Sequence, residues 1–184
     1  TSTPEERILE ARAYLEKNGW TWSEVEQALV KEKKDKKGTV TESTLLTFSI
    51  ATGNVPELRR TAEILKDIWG RMGARVEVQV FETGDLNQNI IRPRKYDALL
   101  FGMVVGRDLD LFAFWHSSQR NDPGLNVALY TNTTADKLLS EARTISSYRE
   151  RIDKYQEFAE EIEKDIPAVF LYAPEFIYVL PEKI

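Results

Sequence analysis

Cysteine is absent from the 184 residues. That excludes disulfides, thiolate metal sites and cysteine nucleophiles, though it leaves the compartment open. Histidine occurs once, as His116. A catalytic triad or a His-rich metal site would need it, yet neither finds a partner set: no G-x-S-x-G elbow and no H-E-x-x-H occurs. No metal and no cofactor is therefore expected. No apolar run approaches the roughly 20 residues of a membrane helix, and no signal peptide is visible. Positive charge is not in excess either. A net charge of −5 speaks against general nucleic-acid binding, because phosphate contacts need a basic surface.

What is present is the material of a folded domain. Hydrophobic residues make up 42% of the chain, enough for a globular core, and the length suits one main domain over residues 1–184. Its leading part, 1–40, reads as a helix and hairpin, and 41–184 as an α/β core. The start, "TSTPEERILEARAYLEKNGW", reads as the inside of a domain, and "FIYVLPEKI" stops just after a strand-like run. The chain is expected to be a fragment of a larger protein.

Residues 4–17 carry helix signals: Ser2 or Thr3 to cap, Pro4 at the first helical position, and Ile8, Ala11 and Leu15 on one face. Residues 22–37 are open between a helix with Trp22, Val25 and Leu29 on one side and one arm of a hairpin. The basic run Lys31–Lys37, with two acids inside it, reads as a solvated turn. "LLTFSIA" (45–51) is a strand by its β-branched and apolar content. Leu58, Ala62, Leu65, Trp69 and Met72 then define a buried helix face, which Gly73 ends. "RVEVQVF" (75–81) alternates as a half-buried strand with Val76, Val78 and Val80 inward. Thr83 or Asp85 is placed to cap a short helix carrying Leu86, Ile90 and Ile91, closed by Pro93. "YDALLFGMVV" (96–105) is apolar throughout, as a central strand covered on both faces should be.

This β-α-β-α-β series predicts half of a doubly wound sheet with right-handed crossovers and strand order 2-1-3. The switch point would lie between its first and third strands, where the loops Thr52–Pro56 and Val105–Asp110 are expected to meet and bind a ligand. Further on, Ala135, Leu138, Leu139, Ala142 and Ile145 form one helix face, and Tyr148, Ile152, Tyr155, Ala159, Ile162 and Ile166 a longer one. "AVFLYA" and "FIYVL" read as closing strands.

The stretch "GMVVGRDLDLFAFWHSSQRNDPGLN" (102–126) concentrates the candidate chemistry. His116 either hydrogen-bonds a ligand or another domain, or is simply structural. Asp108 and Asp110 either pair as carboxylates or cap a helix over Leu109–Trp115, where acids favour the N-terminus. Within that helix Phe112 and Trp115 are expected to face inward, leaving Phe114 undecided. Gly53 and Gly106 either admit a ligand close to the backbone or serve turns with positive φ. Gly102 and Gly106 have the spacing of a membrane-helix motif without a span around them. Arg107 either pairs with an anionic ligand group or lies on the surface. Asn132-Thr133-Thr134 satisfies a glycosylation sequon but is better placed to cap the next helix.

Taken together, these segments resemble the family 5 extracytoplasmic solute-binding proteins of ABC transporters, the dipeptide/oligopeptide-binding group. "YLEKNGW" is similar to that family's acid-rich helix ending in G-W. "LTFSIATGNVPELRRTAEILKDIWGRMGARVEVQVFE" is similar to its strand–T-x-G-N–helix–G–strand unit, and "YDALLFGM" to its tyrosine-aspartate strand. "DLDLFAFWHSSQ", "LNVALYTNTTADKLLSEAR" and "DIPAVFLYAPEFIYVL" resemble the segments that follow in order. The resemblance implies a periplasmic-binding-protein-like (type II) lobe, with a mixed, mainly parallel sheet and helices on both faces. It implies most of a C-terminal lobe, whose partners are a small-molecule or peptide ligand, the N-terminal lobe of the same protein and an ABC permease, outside the cytoplasm in the periplasm or at the cell surface, with a lipid anchor as one option. Peptide-binding members hold the ligand's amino group with an acid after the tyrosine-aspartate strand. The matching position is Val105, and Leu109 replaces the usual proline, so the ligand's identity stays open.

The expected role is ligand capture without chemistry, through Gly53, Asn54, Gly106, Arg107, Trp115, His116 and Asn126. The alternative is a solute-sensing module of the same fold fused to a DNA-binding domain. A third reading, an enzyme with Asp108 and Asp110 as acid and base, needs a deep pocket and a suitable carboxyl separation.

Overall fold

In the computed structural model, residues 3–106, 109–175, 178 and 179 are described, and the chain divides into two compact units, Thr1–Val104 and Val105–Ile184. The first unit begins with α1 (Pro4–Lys17), which starts as the sequence predicts: Thr3 accepts from the Glu6 backbone, the Glu6 carboxylate accepts from the Thr3 backbone, and Pro4 sits in the first turn. Ile8 is its buried anchor.

The undecided region 22–37 resolves as sheet. β1 (Trp20–Ser23), β2 (Ala28–Lys34) and β3 (Val40–Leu45) form an antiparallel meander in that order. Leu29 is fully buried in β2, whereas Val25 is 90% exposed in the intervening turn, so the two do not share a helix face. The hairpin continues to Leu45, past residue 40.

The second sheet of this unit carries the parallel strands. β4 (Thr47–Gly53) lies in the middle, paired in parallel with β5 (Arg75–Phe81) on one side and β6 (Ala98–Leu100) on the other. α2 (Pro56–Met72) makes the crossover from β4 to β5, with Ala62 buried and Leu58, Leu65, Trp69 and Met72 half-buried along the predicted face. Ile50, Ala74 and Val76 form the core beneath it, with Phe48 packed edge-on against Trp69 at 5.2 Å. Gly73 ends α2 at φ +105°.

Two strand expectations are corrected here. β6 is three residues long and lies at an edge; Phe101 and Val104, expected in a central strand, are 48% and 91% exposed. In β5 the inward alternation holds at Val76 and Val78 and fails at Val80, which is exposed at the strand's end. Between them, α3 (Thr83–Asp85) runs into a π-helical turn over Leu86–Ile91, burying Leu86 and Ile91. Neither Thr83 nor Asp85 makes a side-chain cap bond: Glu82 is the N-cap of α3 and Asp85 that of the π-helical turn, and both lack one.

The second unit is helical. α4 (Phe112–Trp115), α5 (Thr133–Thr144) and α6 (Tyr148–Asp165) gather Trp115, Tyr130, Leu138, Leu139, Phe158 and Ile162 into one core. Asn132 caps α5 through the Thr134 and Ala135 amides, as its position predicts. The α6 face differs from the expected register: Phe158 is buried where Ala159 was expected, and Ile166, in the left-handed region at φ 50°, is 66% exposed past the helix end. A residue that terminates a helix cannot extend its face. Residues 168–173 form no strand; Val169, Phe170 and Tyr172 are exposed, although Phe170 touches Trp115 at 5.9 Å between ring centres. The second expected closing strand, 176–180, falls mostly outside the described residues.

Candidate functional site

In the first unit the candidate site is the carboxyl end of the parallel sheet. All three strands run the same way, so their C-terminal tips share one edge, and β4 lies between its two neighbours as a topological switch point requires. Gly53 is the last residue of β4 and is buried; a Cβ there would meet Leu86 at 3.6 Å, ordinary contact, and its φ is not positive. Asn54 follows it into solvent. Its backbone N–H donates to the Phe81 carbonyl at 2.8 Å, and its side-chain amide donates to a Glu82 carboxylate oxygen at 2.5 Å.

Glu82 is the residue that sequence reasoning missed. The signal was there: an acid immediately after β5, at the same end of the sheet as the loop after β4. The α2 N-terminus beside it has Val55 as its N-cap without a side-chain cap bond, so its first amides are not satisfied from the cap.

At the opposite end of the same sheet Asp97 does structural work. One carboxylate oxygen accepts from both the Ser49 backbone N–H and the Ser49 hydroxyl, each at 2.9 Å. Those hydrogen bonds hold its carboxyl below the usual carboxylate range. The acid of the tyrosine-aspartate pair therefore pins β6 to β4.

In the second unit Trp115, His116 and Asn126 are brought together, in a different arrangement from the expected ligand wall. Asn126 has no exposed surface. Its side-chain amide donates to the carbonyls of Trp115, His116 and Tyr130 at 3.0–3.2 Å, and its side-chain oxygen accepts from the Tyr130 amide. Trp115 is 6% exposed, in the core. Both residues have their polar atoms or rings engaged inside the fold, where they hold the loop that presents His116.

His116 is half-buried and stacked on Phe112, with ring centres 4.1 Å apart and planes 21° from parallel. The Arg143 guanidinium also lies over the Phe112 ring, 4.2 Å from its centre. The Ser118 backbone N–H donates to His116 Nδ1 at 3.1 Å. A neutral ring with Nδ1 used as acceptor carries its proton on Nε2, which is then a donor. Phe112 and Trp115 face inward as expected.

Asp110 is engaged twice. It accepts the Phe112 amide at the start of α4, and it holds Arg143 of α5 through Nε at 3.1 Å and Nη2 at 2.7 Å. The N-cap position of α4 is Leu111, without a side-chain cap bond, so Asp110 stands one residue outside it; α4 begins three residues later than expected, and Leu109 has a positive φ of 52°. Gly106 is exposed, with open space where a Cβ would stand. Arg107 and Asp108 lie outside the described residues, and so does the expected carboxylate pair. Among the described residues no group of three or more His, Asp or Glu is arranged to hold a metal. Nor is any helix among them long and apolar enough to cross a membrane.

Comparison with known proteins adds an independent line. No protein-family model matches the chain. The oligopeptide-binding protein AppA of Bacillus subtilis (strain 168) is 29% identical over 139 residues, covering 74% of this chain and 25% of AppA. The structure of AppA from Bacillus subtilis in complex with a nonapeptide superposes with a TM-score of 0.72 at 26% identity, over 86% of this chain and 30% of that one. Two further structures share the fold: NikZ from Campylobacter jejuni in complex with Ni(L-His), with TM-score 0.65, 24% identity, and 91% of this chain against 31% of NikZ; and a nickel ABC transporter protein from Bacillus halodurans, with TM-score 0.66, 19% identity, and 87% against 31%. The resemblance to the family 5 solute-binding proteins, and with it the type II lobe fold, is borne out. The chain spans about a quarter of the length of the curated relative it matches.

Proposed function

We propose that this chain is most of the C-terminal ligand-binding lobe of an ABC-transporter substrate-binding protein, working outside the cytoplasm and capturing a peptide-like or other small solute for uptake. The observation that carries the reading is the match to AppA in both sequence and fold, over most of this chain. Its relatives are described as binding and transport proteins, which supports a role without catalysis and gives no support to a DNA-bound sensor.

In this reading both units belong to one lobe, and a solute is held between it and an N-terminal lobe. Closure about a hinge buries the solute, and the closed form docks on the permease. No bond in the solute is made or broken. Gly53, Asn54 and Gly106 would bring backbone and amide groups to the solute, Arg107 a cation, and His116 an Nε2–H donor. Glu82 beside Asn54 adds a carboxylate able to receive an N–H group. Trp115 and Asn126 would act by holding His116 in place.

The test is calorimetric titration of the full-length protein with mixed-sequence oligopeptides, beside the Asn54→Ala and His116→Ala variants. Saturable binding that weakens about fivefold or more in either variant supports the reading, since a lost hydrogen bond to a ligand is worth about 1 kcal/mol or more. Unchanged affinity in both variants would remove these residues from the site. Absence of binding to any peptide would move the ligand to another class of solute.

A further inference from the structure

The lysine-rich run of the sequence is more than a turn. β1 pairs with β2 only as far as Lys31, so from Glu32 outward the β2–β3 hairpin is a two-stranded ribbon. Residues 31–44 are exposed on both faces of that ribbon. Such an arm buries no apolar surface of its own, and an unsupported two-stranded ribbon is marginal in water. It is held from its root by buried Leu29 and Val30.

Its tip is nonetheless tightly ordered. Asp35 Oδ1 accepts from the Lys37 and Thr39 amides at 2.8 and 2.9 Å, the Asp35 N–H donates to the Thr39 carbonyl, and Gly38 closes the turn at φ +84°. The Asp35 carboxylate is thereby turned onto the backbone. Glu42 is paired with Lys33 at 2.9 Å and Glu32 with Lys34 at 3.3 Å. Lys31, Lys36 and Lys37 have no ion pair among the described residues. The arm's five lysines outnumber its three acids, Glu32, Asp35 and Glu42, so it carries a surplus of two positive charges in a chain of net charge −5. Val40, 44% exposed, stands beside it.

We propose that the 31–44 arm is an electrostatic contact for an anionic phospholipid surface. All its cations are lysines, which are hydrated point charges on flexible stems. They suit diffuse attraction to headgroups, whereas a fixed carboxylate partner is matched better by the planar fork of arginine. The assignment is independent of the proposed solute and of the residues that would bind it.

Co-sedimentation with vesicles tests it. Vesicles of equal parts phosphatidylglycerol and phosphatidylcholine should retain the chain at low salt, pure phosphatidylcholine should not, and added salt should release it. Lys36→Glu combined with Lys37→Glu should weaken retention by more than about tenfold, since each lysine near such a surface contributes roughly a fivefold factor or more. Lys137→Glu on α5 should leave it unchanged. Far-UV circular dichroism verifies folding, and Lys36→Gln with Lys37→Gln replaces the reversal if folding suffers. Equal retention on both vesicle types, or retention indifferent to the tip lysines, overturns the proposal. So does tip-dependent capture by polyglutamate without vesicle binding, which would assign the arm to an acidic protein surface.

Discussion

The Leu29 backbone N–H donates to the Gly73 carbonyl at 2.7 Å, and the Leu29 side chain fills the space where a Gly73 side chain would stand. The Leu29 carbonyl in turn accepts from Leu46, so one residue ties the meander to the end of α2 and to the run into β4. A Cβ on Gly73 would lie 2.7 Å from Leu29 Cγ, on a backbone at φ +105°. Gly73→Ala should therefore cost about 2 kcal/mol or more, from left-handed strain and displacement of a packed leucine together. Urea unfolding with an unchanged slope and a lowered midpoint is the expected result.

Asn126→Ala should be among the most damaging substitutions in the second unit. It removes one acceptor and takes the amide donor from the Trp115 and Tyr130 carbonyls, while the His116 carbonyl keeps the Gln119 N–H. A cost of about 3 kcal/mol is expected, read as a lowered midpoint in thermal unfolding followed by tryptophan fluorescence.

Acid sensitivity should have an identifiable component at Asp97. Its folded pKa lies below its unfolded value because Ser49 donates twice to the ionised form. The resulting stability is present above the unfolded pKa of about 4 and is lost as pH falls through the lower, folded pKa. Unfolding midpoints measured from pH 6 downward should drop below about pH 4, and Asp97→Ala should show a shallower drop from a lower starting point. The carboxylate is exposed, so the effect should be modest.

The 184-residue chain alone should bind oligopeptides weakly or not at all, because one lobe covers only one side of a ligand. Calorimetry on the chain by itself is the measurement, and micromolar affinity would contradict the two-lobe account.

Much of this architecture was readable because local pattern and burial agree. Thr3, Pro4 and Glu6 spell a helix start, Asn132 spells another, and the steps from Leu58 to Met72 describe a face that packs. The failures share a cause. Residues 101–105 and 168–173 are apolar runs whose burial depends on neighbours, and apolar character alone does not say that a neighbour is present. The α6 register slipped because Ala159 and Phe158 both fit a helical period, and volume decided which one faced the core. At the candidate site the sequence identified Asn54 but not Glu82, since their contact spans 28 positions and depends on β4 and β5 pairing in parallel. For Asn126 the sequence does not reveal its bonds inside the fold: a polar side chain in a loop reads the same whether it serves a ligand or three backbone carbonyls.

Among the described residues, β5 and β6 each pair along one side only, and β6 leads into an uncharged, exposed stretch from Phe101 to Val105. Open strand borders next to sticky residues recruit further copies when protein is crowded. Preparations of this polypeptide by itself should therefore stay clear only when dilute, and a lysine placed at Val104 is the simplest remedy for cloudy stocks.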